Sequence, residues 1–173
     1  PRARQSGWVL QAGREDRVGV LVMEDMDRYV TELSAAVWEQ TLGLPLDPTG
    51  GVPEPHGRTV EGHVHISGQW NGTLVFQCSI GAARQAAHVM FGPGDDHEGL
   101  SDVQDAVGEL TNMIGGNLKS LLSDDGCFLS LPMVIEGSDY TVRMSGARVI
   151  ARQAFTSDHE PVVVTLLEPA RTN

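Results

Sequence analysis

The chain is 173 residues long, with 40% hydrophobic and 20% charged residues, a composition typical of a soluble globular domain. Twelve lysines and arginines against 23 aspartates and glutamates give a formal net charge of -11, which argues against broad binding to nucleic-acid phosphates. Two cysteines are too few for a disulfide framework, and no apolar run approaches the roughly 18 residues of a membrane span. We therefore expect a reduced, cytoplasmic protein that binds neither nucleic acid nor membranes.

The N-terminal part of the chain predicts a tail followed by a helix. Residues 1–20 are polar and arginine-rich, which predicts a tail, whereas residues 21–170 predict a single domain. Apolar residues recur at helical spacing from Met26 to Trp38, and Gly43 is suited to end this first helix.

Residues 59–79 predict a β-hairpin. Apolar and polar residues alternate on both sides of the turn dipeptide Asn71-Gly72. His63 and His65 fall on one strand face, at a spacing compatible with two metal ligands. A third ligand is not evident, so we expect exposed polar positions here and no metal site in this chain.

The C-terminal half predicts two more helices and further strands. A short helix is predicted at 82–91, an acidic connecting loop at 95–99, and a long helix beginning at Ser101. Three β-like runs follow, at 127–137, 140–155 and 161–169. Pro132 indicates an edge or a bulge in the first of them. Grouped strands predict an α+β domain: a mainly antiparallel sheet with two long helices and a short helix packed on one face.

The long helix has two contrasting sides at ~100° per residue. Its apolar stripe comprises Val103, Ala106, Val107, Leu110, Ile114, Leu118 and Leu121, and predicts a core-facing side. Opposite it lie Asp105, Glu109, Asn112 and Gly116, a set typical either of a solvated face or of a surface for a partner. The tandem glycines 115 and 116 each cost about 1 kcal/mol relative to alanine, so they favour close approach by another element or molecule.

This helix and the strand after it also resemble a known signature. "DAVGELTNMIGGNLKSLL" followed by "LSLPMVIEG" is similar to the pattern of the CheX/CheC chemotaxis phosphatases. The matching residues are Gly108, Glu109, Asn112, Gly116, Lys119, Pro132, Val134 and Gly137. The hairpin stretch "VHISGQWNGTLVFQCS" resembles the family as well, so the likeness spans roughly residues 25 to 168.

The resemblance implies removal of the aspartyl phosphate from a CheY-type response regulator, with Glu109 and Asn112 as the catalytic residues. Asn112 is suited to orient the attacking water because its carboxamide adds no negative charge. Glu109 is expected to pair with a lysine of the partner, which would fix the docking register. Asp105, Gly116 and Lys119 are assigned to partner docking. The Mg²⁺ is expected in the partner's active site, and we expect no cofactor bound by this chain.

Two positions depart from the family pattern. The CheC branch carries a second Glu-x-x-Asn motif on its first helix, where this chain has Glu32 followed by Ala35. An alanine cannot orient water, so we predict one active site per chain, as in the CheX branch. Asn117 falls on the buried side of the helical wheel and is expected to need a hydrogen-bond partner there.

Two other functions remain open from the sequence. The first is a non-catalytic adaptor that binds response regulators, similar to the flagellar switch proteins, which would keep the docking face without needing Asn112. The second is a sensory or regulatory domain whose partner is unrelated to motility. In each case we expect a homodimer formed by pairing of sheet edges.

Overall fold

The computed structural model describes residues 25–51, 55–92, 100–122, 126–138, 140, 142 and 144–170. These ranges contain the helices α1 (Met26–Leu42), α2 (Ile80–Phe91) and α3 (Leu100–Leu122). Their strands are β1 (Asp47–Pro48), β2 (Arg58–Gly68), β3 (Gly72–Ser79), β4 (Cys127–Leu129), β5 (Met133–Ser138), β6 (Ala147–Ser157) and β7 (Glu160–Pro169). None of these helices is both long enough and apolar enough to cross a membrane. The predicted tail (1–20) and acidic loop (95–99) lie outside the described residues.

The strands form one antiparallel sheet. Their order is β1-β6-β7-β3-β2, and β4 and β5 both pair with the outer edge of β2, one after the other along its length. The helices cover one face: α3 packs on β2, α2 on β3, and α1 on β6. This arrangement confirms the predicted α+β class, with its mainly antiparallel sheet, two long helices and one short helix.

The alternation of side chains along β2 decides which face of the sheet the helices cover. Val60, Val64 and Ile66 are fully buried beneath the helices, because successive side chains of a strand point to opposite faces. The pairs Val64 with Leu74 and Ile66 with Gly72 continue the same face onto β3, which confirms the predicted hairpin.

Trp38 of α1 is the largest side chain of the core and ties this helix to the sheet. Its ring stacks on Phe76 with centroids 6.1 Å apart, and its Nε1 donates a hydrogen bond of 3.1 Å to Ser157 Oγ. The helix ends as predicted at Gly43, which adopts a left-handed conformation (φ 66°) and donates its N–H to Glu39 O. Packing and capping together fix α1 over β6.

The predicted core stripe of α3 is confirmed for all but its last member. Val103, Ala106, Val107, Leu110, Ile114 and Leu118 are buried. Leu121 is 41% exposed, so its assignment to the core was wrong. Asn117 is also exposed, contrary to expectation, and its Nδ2 donates to Met113 O of the same helix. Both corrections have one cause: in the last turns the buried side of α3 is centred on Leu118 and Leu122 rather than in line with Leu110, which leaves Asn117 and Leu121 at its edge.

The first of the predicted C-terminal β runs is divided into β4 and β5. Leu129 pairs with Ile66 and Met133 pairs with His63, so four steps along one strand oppose three along β2. This extra residue is a β-bulge, as Pro132 indicated. The second run begins later than predicted, because β6 starts at Ala147 rather than at Tyr140.

The residues before β6 lie instead against the sheet face opposite the helices. Tyr140, Val142 and Met144 line a cavity of about 400 Å³ there, together with residues of β2, β3, β6 and β7. Burial raises the pKa of the Tyr140 hydroxyl. His63 lines the same cavity and is only 6% exposed, with Nε2 3.1 Å from Glu61 Oε2. The expectation of an exposed position is therefore wrong for His63, although His65 is exposed.

Candidate active site

One flank of α3 packs against the sheet at unusually short range. A Cβ on Gly115 would lie 2.6 Å from Val64 Cγ2 and 3.3 Å from Leu129 Cδ1. On the same flank a Cβ on Gly62 of β2 would overlap the Thr111 side chain, whose Oγ1 donates to Val107 O of its own helix. Glycine is thus required on both elements for the helix to approach this closely. This explains Gly115, for which helix periodicity alone gave only a general packing argument.

The adjoining side of α3, which carries Glu109 and Asn112, is open. Glu109 is exposed and Asn112 is half-buried, and because they are three residues apart their side chains lie on adjacent turns of the same face. Apart from its two chain neighbours and the nearby backbone of its own helix, no described atom lies within 4 Å of a Cβ built on Gly116. The space beside Glu109 and Asn112 is therefore clear for another molecule.

All five residues predicted from the sequence lie on one row of this helix. Asp105, Glu109, Asn112, Gly116 and Lys119 follow one another at steps of four or three residues, which keeps them on one side. Asp105 is exposed and Lys119 is half-buried. The structure therefore brings the two candidate catalytic residues and the three candidate docking residues together.

The polar groups of this row are not engaged within the described part of the chain. Neither the Glu109 carboxylate nor the Asn112 carboxamide forms a hydrogen bond or an ion pair with another described residue. The carboxylate can accept hydrogen bonds, while the carboxamide offers one acceptor and two donors. Among the described residues no group of three or more His, Cys, Asp or Glu side chains could hold a metal ion. The face is therefore suited to orient water and contact a polar partner.

The first helix carries no comparable polar pair at Glu32 and Ala35. Glu32 is 62% exposed and lies 3.9 Å from Arg28, with which it forms an ion pair on the same helix. Ala35, three residues later, is half-buried and carries no polar group. The Glu-x-x-Ala sequence therefore leaves α1 without a group able to orient water at this place.

Comparison with known protein families identifies the chain. The family model described as "Chemotaxis phosphatase CheX" matches residues 60–156, more than half of the sequence and including all of α3. The chain belongs to the CheX family. The row of Glu109 and Asn112 thus lies within the matched region of a phosphatase family. A search of curated proteins found no match to this chain.

Solved structures of CheX proteins have the same fold. The chemotaxis protein CheX of Desulfovibrio desulfuricans is 26% identical and superposes with a TM-score of 0.69, covering 83% of this chain and 99% of that one. CheX of Vibrio vulnificus is 23% identical, with a TM-score of 0.68 and coverage of 82% and 95%. CheX in the CheX–CheY–BeF3–Mg²⁺ complex of Borrelia burgdorferi is 18% identical, with a TM-score of 0.60 and coverage of 83% and 97%. The CheX fold therefore extends over most of this chain.

Proposed function

We propose that this CheX-family chain hydrolyses the aspartyl phosphate of a CheY-type response regulator. The observation that carries the proposal is the open row of α3, where Glu109 and Asn112 lie on one side of the helix and neither is engaged by another described residue. Membership of a chemotaxis phosphatase family supports a phosphatase role for this row. Asp105, Gly116 and Lys119 would form the surface on which the regulator docks.

Asn112 would orient the attacking water. Hydrolysis of a phosphoryl group requires a water in line with the leaving oxygen, while charge on the other oxygens is stabilised by a cation. The carboxamide can accept a hydrogen bond from that water without bringing a second negative charge to the phosphoryl group. The Mg²⁺ and the phosphorylated aspartate would both belong to the regulator, so this chain would contribute positioning alone.

Glu109 would hold the regulator in register. Its carboxylate is exposed one turn before Asn112, where a cationic side chain of a docked partner can reach it. An ion pair formed on docking contributes more to orientation and association rate than to affinity. Support for a CheY-type partner comes from the CheX of Borrelia burgdorferi, which shares this fold and forms a complex with CheY, BeF3 and Mg²⁺.

The proposal is tested by mixing the chain with a phosphorylated CheY-type receiver domain and Mg²⁺ and following phosphate release. We expect acceleration over the receiver alone, and a loss of about 100-fold in kcat for Asn112→Ala, the usual range for one removed transition-state contact. Asn117→Ala is the matched control, because Asn117 is an exposed asparagine of the same helix that bonds its own backbone. Full activity in Asn112→Ala would refute the assignment. Binding of the receiver without acceleration would replace the phosphatase by a regulator-binding adaptor.

We also propose that the chain forms a homodimer through its sheet edges. β5 pairs with β2 on one side and with no described strand on the other, and β1 covers only the end of β6. Unpaired strand edges readily pair with a second chain. Light scattering on the full chain measures this directly, and a monomeric mass at micromolar concentration would contradict it.

A further inference from the structure

Leu131 is the most exposed of the large apolar side chains in the described part of the molecule. It is 89% exposed, compared with 75% for Phe128 and 57% for Met133. It is the middle one of the three residues, 130–132, that connect β4 to β5 opposite only two residues of β2. The bulge therefore directs an apolar side chain away from the sheet edge.

The backbone on both sides of Leu131 is held in place. Ser130 N donates to His65 O at 2.9 Å, and His65 N donates to Ser130 Oγ, also at 2.9 Å. The same hydroxyl donates to Leu131 O. On the other side Pro132 fixes its own φ angle and packs 3.7 Å from the Cβ position of Gly108. Leu131 is thus presented to solvent from an ordered backbone.

The same connection lies alongside Asn112. Pro132 contacts α3 at Gly108 and Leu129 contacts it at Gly115. Asn112 lies between these two contacts, four residues after the first and three before the second, on the adjoining side of the helix. Leu131, between Leu129 and Pro132, is therefore level with Asn112 along the helix and borders the open face.

The other exposed apolar residues of this edge are directed elsewhere. Phe128 pairs with Ser67 and Met133 with His63, which places both on the sheet face opposite the helices. Leu129 and Val134, by contrast, contact glycines of α3. Among these three exposed side chains, the bulge residue is thus the one that borders the row of Glu109 and Asn112.

We infer that Leu131 is an apolar docking residue for the receiver domain whose phosphoryl group is positioned at Asn112, an inference that rests on the proposed function. A molecule docked on the open face of α3 at Asn112 would have Leu131 beside it, as an apolar contact next to the polar row. A second copy paired along β5, as proposed above, would also lie near Leu131, so it is the competing occupant that the test distinguishes. Leu131 would position the regulator without touching the reacting atoms.

The test is the full chain carrying Leu131→Ser, assayed over a range of phosphorylated-receiver concentrations. We expect KM to rise about tenfold while kcat stays within twofold, because the lost contact forms equally in the ground and transition states. The conservative variant Leu131→Met should keep the KM of the wild-type chain. Phe128→Ser is the matched control, since it removes another highly exposed apolar side chain from the same edge on the other face, and its KM should not change.

Binding measurements separate this inference from the phosphatase proposal. If the wild-type chain binds a receiver without accelerating hydrolysis, the phosphatase proposal fails, and a weaker Kd for Leu131→Ser would still support docking at Leu131. An unchanged KM and Kd in Leu131→Ser would overturn the inference, as would an equal effect of Phe128→Ser. Dissociation of a dimer by Leu131→Ser, with unchanged receiver binding, would assign the residue to contact between copies and also overturn it. Unlike an ion pair at Glu109, the apolar contact should be insensitive to salt.

Discussion

Two neighbouring glycines of α3 have opposite surroundings. Gly115 lies against Val64 and Leu129 so closely that a methyl group would collide with the valine, whereas the space beside Gly116 is open for at least 4 Å. In a helix interior, each glycine costs a similar free energy relative to a good helix former such as alanine. The first is explained by packing within the chain, while the second has no packing explanation within the described residues.

The two glycines mark two parts of α3 with different tasks. The flank at Gly115 packs on the sheet, and the face at Gly116 carries the candidate site. Gly62 and Gly115 let α3 sit directly on β2, and that short distance fixes the rotation of the helix about its axis. The rotation in turn points Glu109 and Asn112 outward from a rigid element, which is where positioned catalytic groups are most precise. The flank that contains Gly115, here called the closed flank, is therefore expected to control stability, and the open face that contains Gly116 is expected to control function.

The largest expected effect comes from filling the closed flank. Gly115→Val should lower the free energy of unfolding by about 3 kcal/mol, the upper range for overpacking a well-packed site, because Val64 is itself fully buried and cannot move aside. Chemical denaturation measures this as a shift in midpoint at constant slope. Gly116→Val is the matched control and should change stability by less than about 0.5 kcal/mol. Equal losses in the two variants would mean that the flanks do not differ.

Much of the fold was predictable because its signals are periodic. The apolar stripe centred on Leu110 and the alternation around Asn71-Gly72 both follow from regular geometry, and both were confirmed. The errors occurred where periodicity is insufficient. Leu121 fits the stripe but lies at the edge of the side that the last turns of α3 bury, whereas Leu118 and Leu122 pack against the core. His63 fits an exposed strand position but is buried and lines a cavity with Tyr140.

The candidate site was predictable in part. The row of Glu109 and Asn112 follows from spacing on one helix, and its function class came from resemblance to the CheX signature. The contact of Gly115 with Val64 and the position of Leu131 depend on tertiary pairing between segments far apart in sequence. Pro132 signalled a bulge, but the exposure of Leu131 beside it follows only from the tertiary structure.

A smaller effect tests whether water is excluded from the helix-covered face of the sheet. Cys78 lies on the helix-covered face of β3, and burial, with a contribution from Glu160, raises the pKa of its thiol above the ordinary value of 9.0. Below pH 9.0 both the folded and unfolded chains keep the proton, so stability is unaffected. As the pH rises above 9.0 the unfolded chain releases it first, and stability should fall by about 1.4 kcal/mol per pH unit.

Denaturant titrations between pH 8 and 11 measure this slope. Cys78→Ala provides the control: it lowers stability at every pH by removing a buried group, but it should lose this component of the alkaline slope. An identical slope in the two proteins would mean that Cys78 ionises in the folded state, and that water reaches the core face between α2 and β3.

The smallest expected change in stability belongs to Gly116, where it should be accompanied by a functional loss. Gly116→Leu should raise the free energy of unfolding by about 1 kcal/mol, because leucine favours the helix more than glycine does and Gly116 is not obstructed by a neighbouring element. If the open face receives the regulator, the same side chain should reduce kcat/KM for dephosphorylation by about tenfold, an obstruction equivalent to about 1.4 kcal/mol. A stabilised variant with full activity would show that Gly116 is merely tolerated. A stabilised variant with reduced activity would separate the two neighbouring glycines by role, since no substitution at Gly115 can reach the partner without first disturbing Val64.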